Sequence, residues 1–316
     1  MHVVATAGHV DHGKSALVRA LTGMEPDRWA AEIRRGMTID LGFCWTRLDD
    51  GSEVAFVDVP GHERYVANML AGVGPAPAVV FVVAADEGWR AQSQEHLAAI
   101  DALGLRHGLL AVTRSDLADP AAAIEDARGR IARSSLGPVA AVAVSSVTGQ
   151  GLGQLRTAIG RLCAGLAPPD PAADVRLWID RSFTVAGHGT VVTGTLTAGT
   201  IRAGDELVAV PGELRLRVRG LQALKNQRQQ VAATARVAVN LRGADAGQLR
   251  RGCAVVTPDA WLTTQTADVR LSGPQQTRLP AMLMLHIGTA AIAVRVRRLG
   301  TGTARLSLAN ALPLRI

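Results

Sequence analysis

The chain is short of aromatic side chains, cysteine and lysine. One Tyr, four Phe and five Trp in 316 residues leave few flat faces for nucleobases, which argues against stacking as the main way of holding RNA. Three cysteines, Cys44, Cys163 and Cys253, are odd in number and far apart. They make neither a disulfide framework nor a zinc spacing, and they suit a reducing compartment. No segment approaches the ~20 uninterrupted apolar residues of a membrane-spanning helix. No basic-then-apolar leader precedes the first strand-like run, so no membrane association and a cytoplasmic location are expected. Internal repeats and low-complexity tails are also lacking.

What is present points to a globular chain with an anionic partner. At 48% apolar and 19% charged, the length suits two or three domains. The net charge of +7 and the pI near 10.5 favour nucleic acid as that partner. Of the 34 lysines and arginines, only Lys14 and Lys225 are lysine. A compact ammonium fits inside a phosphate cradle where a planar guanidinium does not, so the position of Lys14 is informative.

Residues 1–165 alternate apolar runs with helix-period segments. Runs at 3–5, 54–57, 79–84, 108–112 and 139–144 read as strands, and 92–103, 121–131 and 152–162 read as helices. This is the pattern of a parallel sheet covered on both faces. GLAPPDPAA at 165–173 is a Pro-rich linker. Beyond it come short β-rich runs at 176–179, 190–197, 206–210, 215–221 and 236–241, punctuated by Gly and Pro, as in a small barrel. A second boundary falls near 257–261, and another piece made of short strands follows. The expected domains are therefore residues 1–167, 174–258 and 262–316.

The octapeptide GHVDHGKS at 8–15 carries the most chemistry. It follows the β-branched run 2–6 and opens the apolar-periodic stretch 16–21, the strand–loop–helix setting of a phosphate-binding P-loop. Gly8 and Gly13 let the backbone wrap a phosphate chain, with N–H groups of Gly8, His9, Val10, Asp11, His12 and Gly13 turned inward and a helix N-terminus behind them. Lys14 is expected to reach the β- and γ-phosphates, and Ser15 to offer a hydroxyl to Mg²⁺. By itself this motif does not separate GTPases, ATPases and kinases.

Four later segments do. VDVPGH at 57–62 is a strand ending in Asp58, which can hold Mg²⁺ through water, followed by Gly61, whose N–H can sense a γ-phosphate. TRSD at 113–116 closes a strand; the Asp116 carboxylate can accept two hydrogen bonds from a guanine edge, which adenine cannot supply. Alone it reads as a surface turn, but the preceding motifs make it a base reader, with Thr113 and Arg114 beside it. Ser145 and Ser146 follow the next strand, where their backbone N–H groups can meet the guanine. RGMTID at 35–40 supplies Thr38, whose hydroxyl can complete the Mg²⁺ shell when γ-phosphate is present. The ligands implied are GTP or GDP with Mg²⁺.

With these motifs in this order, the chain resembles the translational GTPases. Its nearest resemblance is to the selenocysteine-specific elongation factors, whose members carry AGHVDHGK, DR followed by RGMTIDLG, IDVPGHE, a T-K-x-D guanine element and a barrel opening on IDR-x-FT. Here these stand at 7–14, 27–28, 35–42, 57–63, 113–116 and 179–184. Thr rather than Asn at 113 is a mark of that subfamily. Arg114 departs from it by replacing the customary Lys. The likeness is strongest over 1–116 and weakest beyond 260.

The resemblance implies an α/β P-loop GTPase domain followed by two β-barrels, the last truncated. It implies His62 as the residue that orients the attacking water, in a reaction where positioning and charge neutralisation do most of the catalysis. It further implies selenocysteyl-tRNA and the ribosome as partners, with an mRNA hairpin held only by C-terminal domains that this chain lacks. In the second domain it maps a cationic pocket for the selenol anion onto Asp180, Arg181, His188 and Arg236. The rival readings are an elongation-factor-like GTPase with another tRNA, a sulfate-assimilation subunit, or a nucleotide-gated binding module without turnover of its own.

Overall fold

The computed structural model describes residues 1–26, 38–187, 189–273 and 279–315. The chain divides into two compact units, Met1–Pro168 and Pro169–Ile316. The segments 27–28 and 35–37 and the residue His188, all singled out above, lie outside the described residues.

The first unit is built on six strands: β1 (His2–Ala7), β2 (Gly42–Arg47), β3 (Glu53–Asp58), β4 (Ala78–Ala84), β5 (Gly108–Thr113) and β6 (Ala140–Ala143). They lie in the order β2-β3-β1-β4-β5-β6. All pairings are parallel except β2 with β3. Every residue of AVVFVVA in β4 is buried, as a central strand covered on both faces requires. Helices α1 (Lys14–Thr22), α2 (Val66–Val73), α3 (Ala91–Ala102), α4 (Ala121–Ile131) and α5 (Leu152–Ala164) accompany the sheet. Leu17, Leu21, Leu155 and Ile159 from α1 and α5 pack on Val4, Phe56, Val80 and Leu109 of the sheet. Because the strands run parallel, the loops that follow β1, β3, β4, β5 and β6 all emerge at one edge, where ligands of such sheets bind.

The second unit contains a closed ring. Strands β7 (Arg176–Val185), β8 (Gly189–Leu196), β10 (Glu206–Val210), β11 (Leu214–Ala223), β14 (Ala235–Arg242) and β15 (Ala254–Val256) run in the order β10-β15-β7-β8-β14-β11. The additional pairing of β10 with β11 closes it, which removes the edges. Strict alternation in ARVAVNLR, inward residues buried, fits a strand with one face in the barrel. The short pieces β9 (Thr200–Arg202), β12 (Asn226–Arg228) and β13 (Gln230–Ala232) decorate the ring.

The remaining strands, β16 (Leu262–Arg270), β17 (Met282–Ile287), β18 (Ala290–Gly300) and β19 (Thr303–Leu314), form an antiparallel sheet in the order β16-β19-β18-β17. Short strands are not what this region contains: β18 and β19 run for 11 and 12 residues. Two-residue turns at 288–289 and 301–302 join long hairpin partners along which buried residues alternate, Ile292 and Val294 in β18 and Ala304, Leu306 and Leu308 in β19. Among the described residues this sheet does not close into a ring. It shares a core with the barrel, in which Trp178, Val210 and Ala254 meet Ile292, Leu306 and Leu312. Arg176 and Arg315 cover the Trp261 ring at 4.4 and 4.8 Å, and Arg176 donates to the Pro313 carbonyl at 3.1 Å.

Candidate nucleotide site

The loop after β1 is shaped by its glycines. Gly8 has φ +131°, and a Cβ there would stand 2.1 Å from the Val82 carbonyl oxygen, so only glycine fits. The helix α1 begins at Lys14 with Gly13 as a left-handed cap, leaving the amides of its opening turn without intrahelical acceptors. The Lys14 ammonium donates to the carbonyls of Gly8 (3.1 Å) and His9 (2.7 Å). A Cβ on Gly61 would meet Lys14 Nζ at 2.4 Å and Val10 N at 2.5 Å. The DVPGH turn therefore lies directly on the phosphate loop, with its bare glycine backbone against the lysine.

Not every amide of the loop points into the cradle. Gly8 N–H donates to His96 Nδ1 at 3.0 Å, and Val10 N–H to Gln92 Oε1 at 3.3 Å. For these two residues the expected phosphate contact is replaced by a contact with α3, which steadies the loop. Burial, aided by the Lys14 charge, pushes His96 down to about 3. The ring is thus neutral and free to accept from Gly8.

Ser15, Thr38 and Asp58 converge as expected. Ser15 Oγ donates to Asp58 Oδ2 at 2.6 Å and lies 2.8 Å from Thr38 Oγ1. The register of β2 against β3 sets Gly42 opposite Asp58, so the segment leading into β2 passes the carboxylate and delivers Thr38. Asp58 is also held by Thr6, whose hydroxyl donates to Oδ1 at 2.7 Å and accepts from Val59 N–H at 3.1 Å. Thr6 escaped the sequence reading, although a lone hydroxyl in an otherwise apolar buried strand is its signal. Two hydroxyls and a carboxylate are hard oxygen donors, the set that suits Mg²⁺.

At the other end of the sheet edge, Thr113 is buried and donates to the His12 carbonyl at 2.7 Å. That bond ties the base-reading turn to the phosphate loop. Arg114 reaches the same loop, its guanidinium donating to the Asp11 carbonyl, and pairs with Asp86 (2.9 Å) and Glu87 (2.8 Å). Burial opposes its charge, yet the hydrogen bonds to Glu87 and Asp86 hold its pKa above the usual value. Ser115 N–H donates to the Val144 carbonyl at 3.2 Å. Ser145 Oγ accepts from the amides of Val147 and Thr148 at 3.2 and 3.1 Å, which shapes the loop that also carries Ser146. Asp116 is exposed on a backbone fixed at both sides. His62 caps a single 3-10 turn, its Nδ1 accepting from Arg64 N–H at 3.1 Å. A neutral ring bonded in this way carries its proton on Nε2, where it can donate.

The model for the elongation factor Tu GTP binding domain matches residues 1–164. The chain belongs to the elongation factor Tu GTP-binding family. The model for elongation factor Tu domain 2 matches residues 189–256. The selenocysteine-specific elongation factor of Desulfomicrobium baculatum is 38% identical over 301 residues, 93% of this chain and 48% of the relative. That of Escherichia coli strain K12 is 40% identical over 257 residues, 79% of this chain and 41% of the relative. The crystal structure of the bacterial selenocysteine-specific elongation factor EF-Sec superposes with a TM-score of 0.94 at 30% identity, covering all of this chain and 55% of the other. The chain thus spans about half the length of the curated relatives it matches. The segments at 8–15, 57–62, 113–116 and 145–146 all stand at one edge of the sheet of this unit. No described helix is long and apolar enough to cross a membrane.

In the second unit, Asp180 sits at an irregularity in the pairing of β7 with β8, a feature that re-aims a side chain. Its buried carboxylate accepts from both terminal nitrogens of Arg236 and from Thr193 Oγ1 at 2.7 Å. Arg236 also donates to Thr195 Oγ1 at 3.1 Å. The structure therefore brings Asp180 and Arg236 together as a closed ion pair, with side chains 3% and 12% exposed. Arg181, half-buried, is the next residue along β7. Arg236→Ala is expected to destabilise the protein by about 3–5 kcal/mol, because it strands a buried carboxylate. Denaturant unfolding of the full chain checks this, and a loss no larger than the ~0.5 kcal/mol typical of surface changes would contradict it.

Proposed function

We propose that this protein is a GTP-driven carrier that delivers selenocysteyl-tRNA to the ribosome and hydrolyses GTP there. The observation that carries the reading is the meeting of Ser15, Thr38 and Asp58 beside Lys14. Such a cluster holds Mg²⁺, which neutralises charge on the β- and γ-phosphates. Thr38 belongs to the segment ahead of β2, so its place in the cluster can follow the state of the nucleotide. Gly61 rests on Lys14 and lets the DVPGH turn register the same change. His62 Nε2 orients the water, Lys14 steadies the phosphates, and Asp116 selects guanine. The boundaries of the parts are taken as residues 1–167, 174–258 and 262–316.

The relatives and the surface of the second unit support this cargo. Arg215, Arg217 and Arg219 stand exposed at alternate positions of β11, about 6.6 Å apart by strand rise. Arg217 faces Arg242 across one ladder and Glu206 across the other, so the stripe keeps an excess of positive charge that suits an anionic backbone. Arg219 also rims a cavity of about 400 Å³ lined by Phe183, Val185, Val191, Leu221 and Gln222. A row of cations ending in an apolar recess with an amide rim suits the unpaired end of an RNA.

With Arg236 bound to Asp180, the resemblance leaves Arg181 as the pocket residue assigned to selection of the selenol anion. Arg181→Ala is expected to erase discrimination between selenocysteyl-tRNA and seryl-tRNA while GTP binding persists. A charge-assisted contact contributes about 1.5–3 kcal/mol, so selectivity falls about tenfold or more. Competitive binding of the two aminoacyl-tRNAs to wild type and variant measures it, and unchanged selectivity returns Arg181 to a structural role.

A further inference from the structure

The phosphate loop carries two imidazoles that the nucleotide reading leaves unused, since it engages residues 9 and 12 through their backbone. His12 is fully buried, and neither of its ring nitrogens makes a hydrogen bond of good geometry, the Val82 backbone standing near enough only to favour the protonated ring slightly. His9 Nδ1 is buried and unpartnered as well. The rings meet edge to face with centroids 4.9 Å apart. Glu87, in the loop between β4 and α3, brings Oε2 to 3.8 Å from His12 Nε2. One ligand atom from each of His9, His12 and Glu87 lies within 4.8 Å of the other two. A buried imidazole with a nitrogen left unengaged is costly and asks for a water or an ion.

We propose that the side chains of His9, His12 and Glu87 form a binding site for a divalent transition-metal ion, with Zn²⁺ as the best-suited species. Two imidazoles and one carboxylate, with a fourth position left for water, are a known zinc donor set. Oxygen-seeking Mg²⁺ has no preference for it, so the site is chemically separate from the Ser15–Thr38–Asp58 cluster. Burial is the main force lowering the pKa of both histidines, that of His12 to about 4. Both rings are therefore neutral and hold ligand lone pairs at physiological pH.

The geometry needs only a small closure. Ligands about 2.1 Å from a tetrahedral metal stand roughly 3.4 Å from one another, so the widest pair must approach by about 1.4 Å. Glu87 supplies part of that movement, because its side chain is 30% exposed and so also marks the way in for the ion, and the partly buried His9 ring supplies the rest. Its Oε1 is now paired with Arg114, and Arg90 Nε stands 3.6 Å from Oε2. Arg114 keeps Asp86 as a partner at 2.9 Å when Glu87 turns away. Lys14 and Arg90 are the cations that oppose a metal here, Glu87 and Asp11 the anions that favour it. A bound ion would clasp the phosphate loop to the loop after β4 and loosen Arg114, which touches the Asp11 carbonyl. Metal and nucleotide are therefore expected to influence each other's affinity.

The test is equilibrium dialysis of the full, nucleotide-free chain against Zn²⁺ with excess Mg²⁺ present, followed by metal quantification. Wild type is expected to retain one equivalent, and Glu87→Gln and His9→Asn to bind at least about tenfold more weakly. Glu87→Gln is nearly isosteric at a partly exposed position, so a folding defect does not cloud the result. Titration with Co²⁺ gives a second readout, a tetrahedral ligand-field spectrum in wild type that both variants lose. Retention of no Zn²⁺ by wild type would overturn the proposal and leave a buried water as the partner of His12. Equal retention by wild type and variants would overturn it too. Neither result bears on GTP binding, which is measured without Zn²⁺.

Discussion

Asp116→Asn is expected to turn the protein from a guanine-nucleotide binder into a xanthine-nucleotide binder. The carboxylate accepts from two N–H groups on the guanine edge, whereas an amide presents a donor that matches the extra carbonyl of xanthine. The backbone behind it is fixed, by Thr113 on the His12 carbonyl and by Ser115 on the Val144 carbonyl, so the substitution changes chemistry rather than position. A bidentate contact to a base edge discriminates by about 1–3 kcal/mol, and leaving a donor or acceptor unpaired adds to the loss. GTP affinity should fall on the order of 10²-fold, with XTP overtaking it. Equilibrium binding of fluorescent GTP, XTP and ATP decides the point. An unchanged order of preference would remove Asp116 from the base site.

His62→Ala is expected to lower ribosome-stimulated GTP hydrolysis on the order of 10²-fold through lost positioning of the water, with GTP affinity unmoved. The ring is oriented by the Arg64 amide on Nδ1, and the turn that carries it is seated on Lys14 through Gly61. Rapid-mixing measurement of nucleotide association and of phosphate release separates the two steps. An equal loss in both would point to a collapsed turn instead of a missing water ligand.

Much of the first unit was legible because its signals are local. GHVDHGKS sits between a buried strand and a helix, the wholly apolar run of β4 marks a strand covered on both faces, and Asp58 and Thr113 end their strands. What escaped is held by contacts distant in sequence. His96 and Gln92 read as ordinary helix positions, and only folding brings them 88 and 82 residues back to Gly8 and Val10. β2 is a short edge strand whose identity depends on antiparallel pairing with β3, which no periodicity announces. Asp180 and Arg236, 56 residues apart, count as separate charges of one cationic pocket in the sequence. The strand order β7-β8-β14 makes them partners across β8, so much of that charge is neutralised internally. The β18–β19 hairpin exceeds the short strands expected because β18 runs on past the apolar AAIAV into RVRRLG, and only pairing with β19 fixes where it ends.

The central claim, a GTP-gated carrier specific for its aminoacyl group, is tested most directly by retention of aminoacyl-tRNA on the purified protein. Selenocysteyl-tRNA and seryl-tRNA are each compared with GTP and with GDP bound. Strong retention of selenocysteyl-tRNA is expected with GTP, much weaker retention with GDP, and weak retention of seryl-tRNA with either. Retention of both tRNAs alike, or retention that ignores the nucleotide, would contradict it.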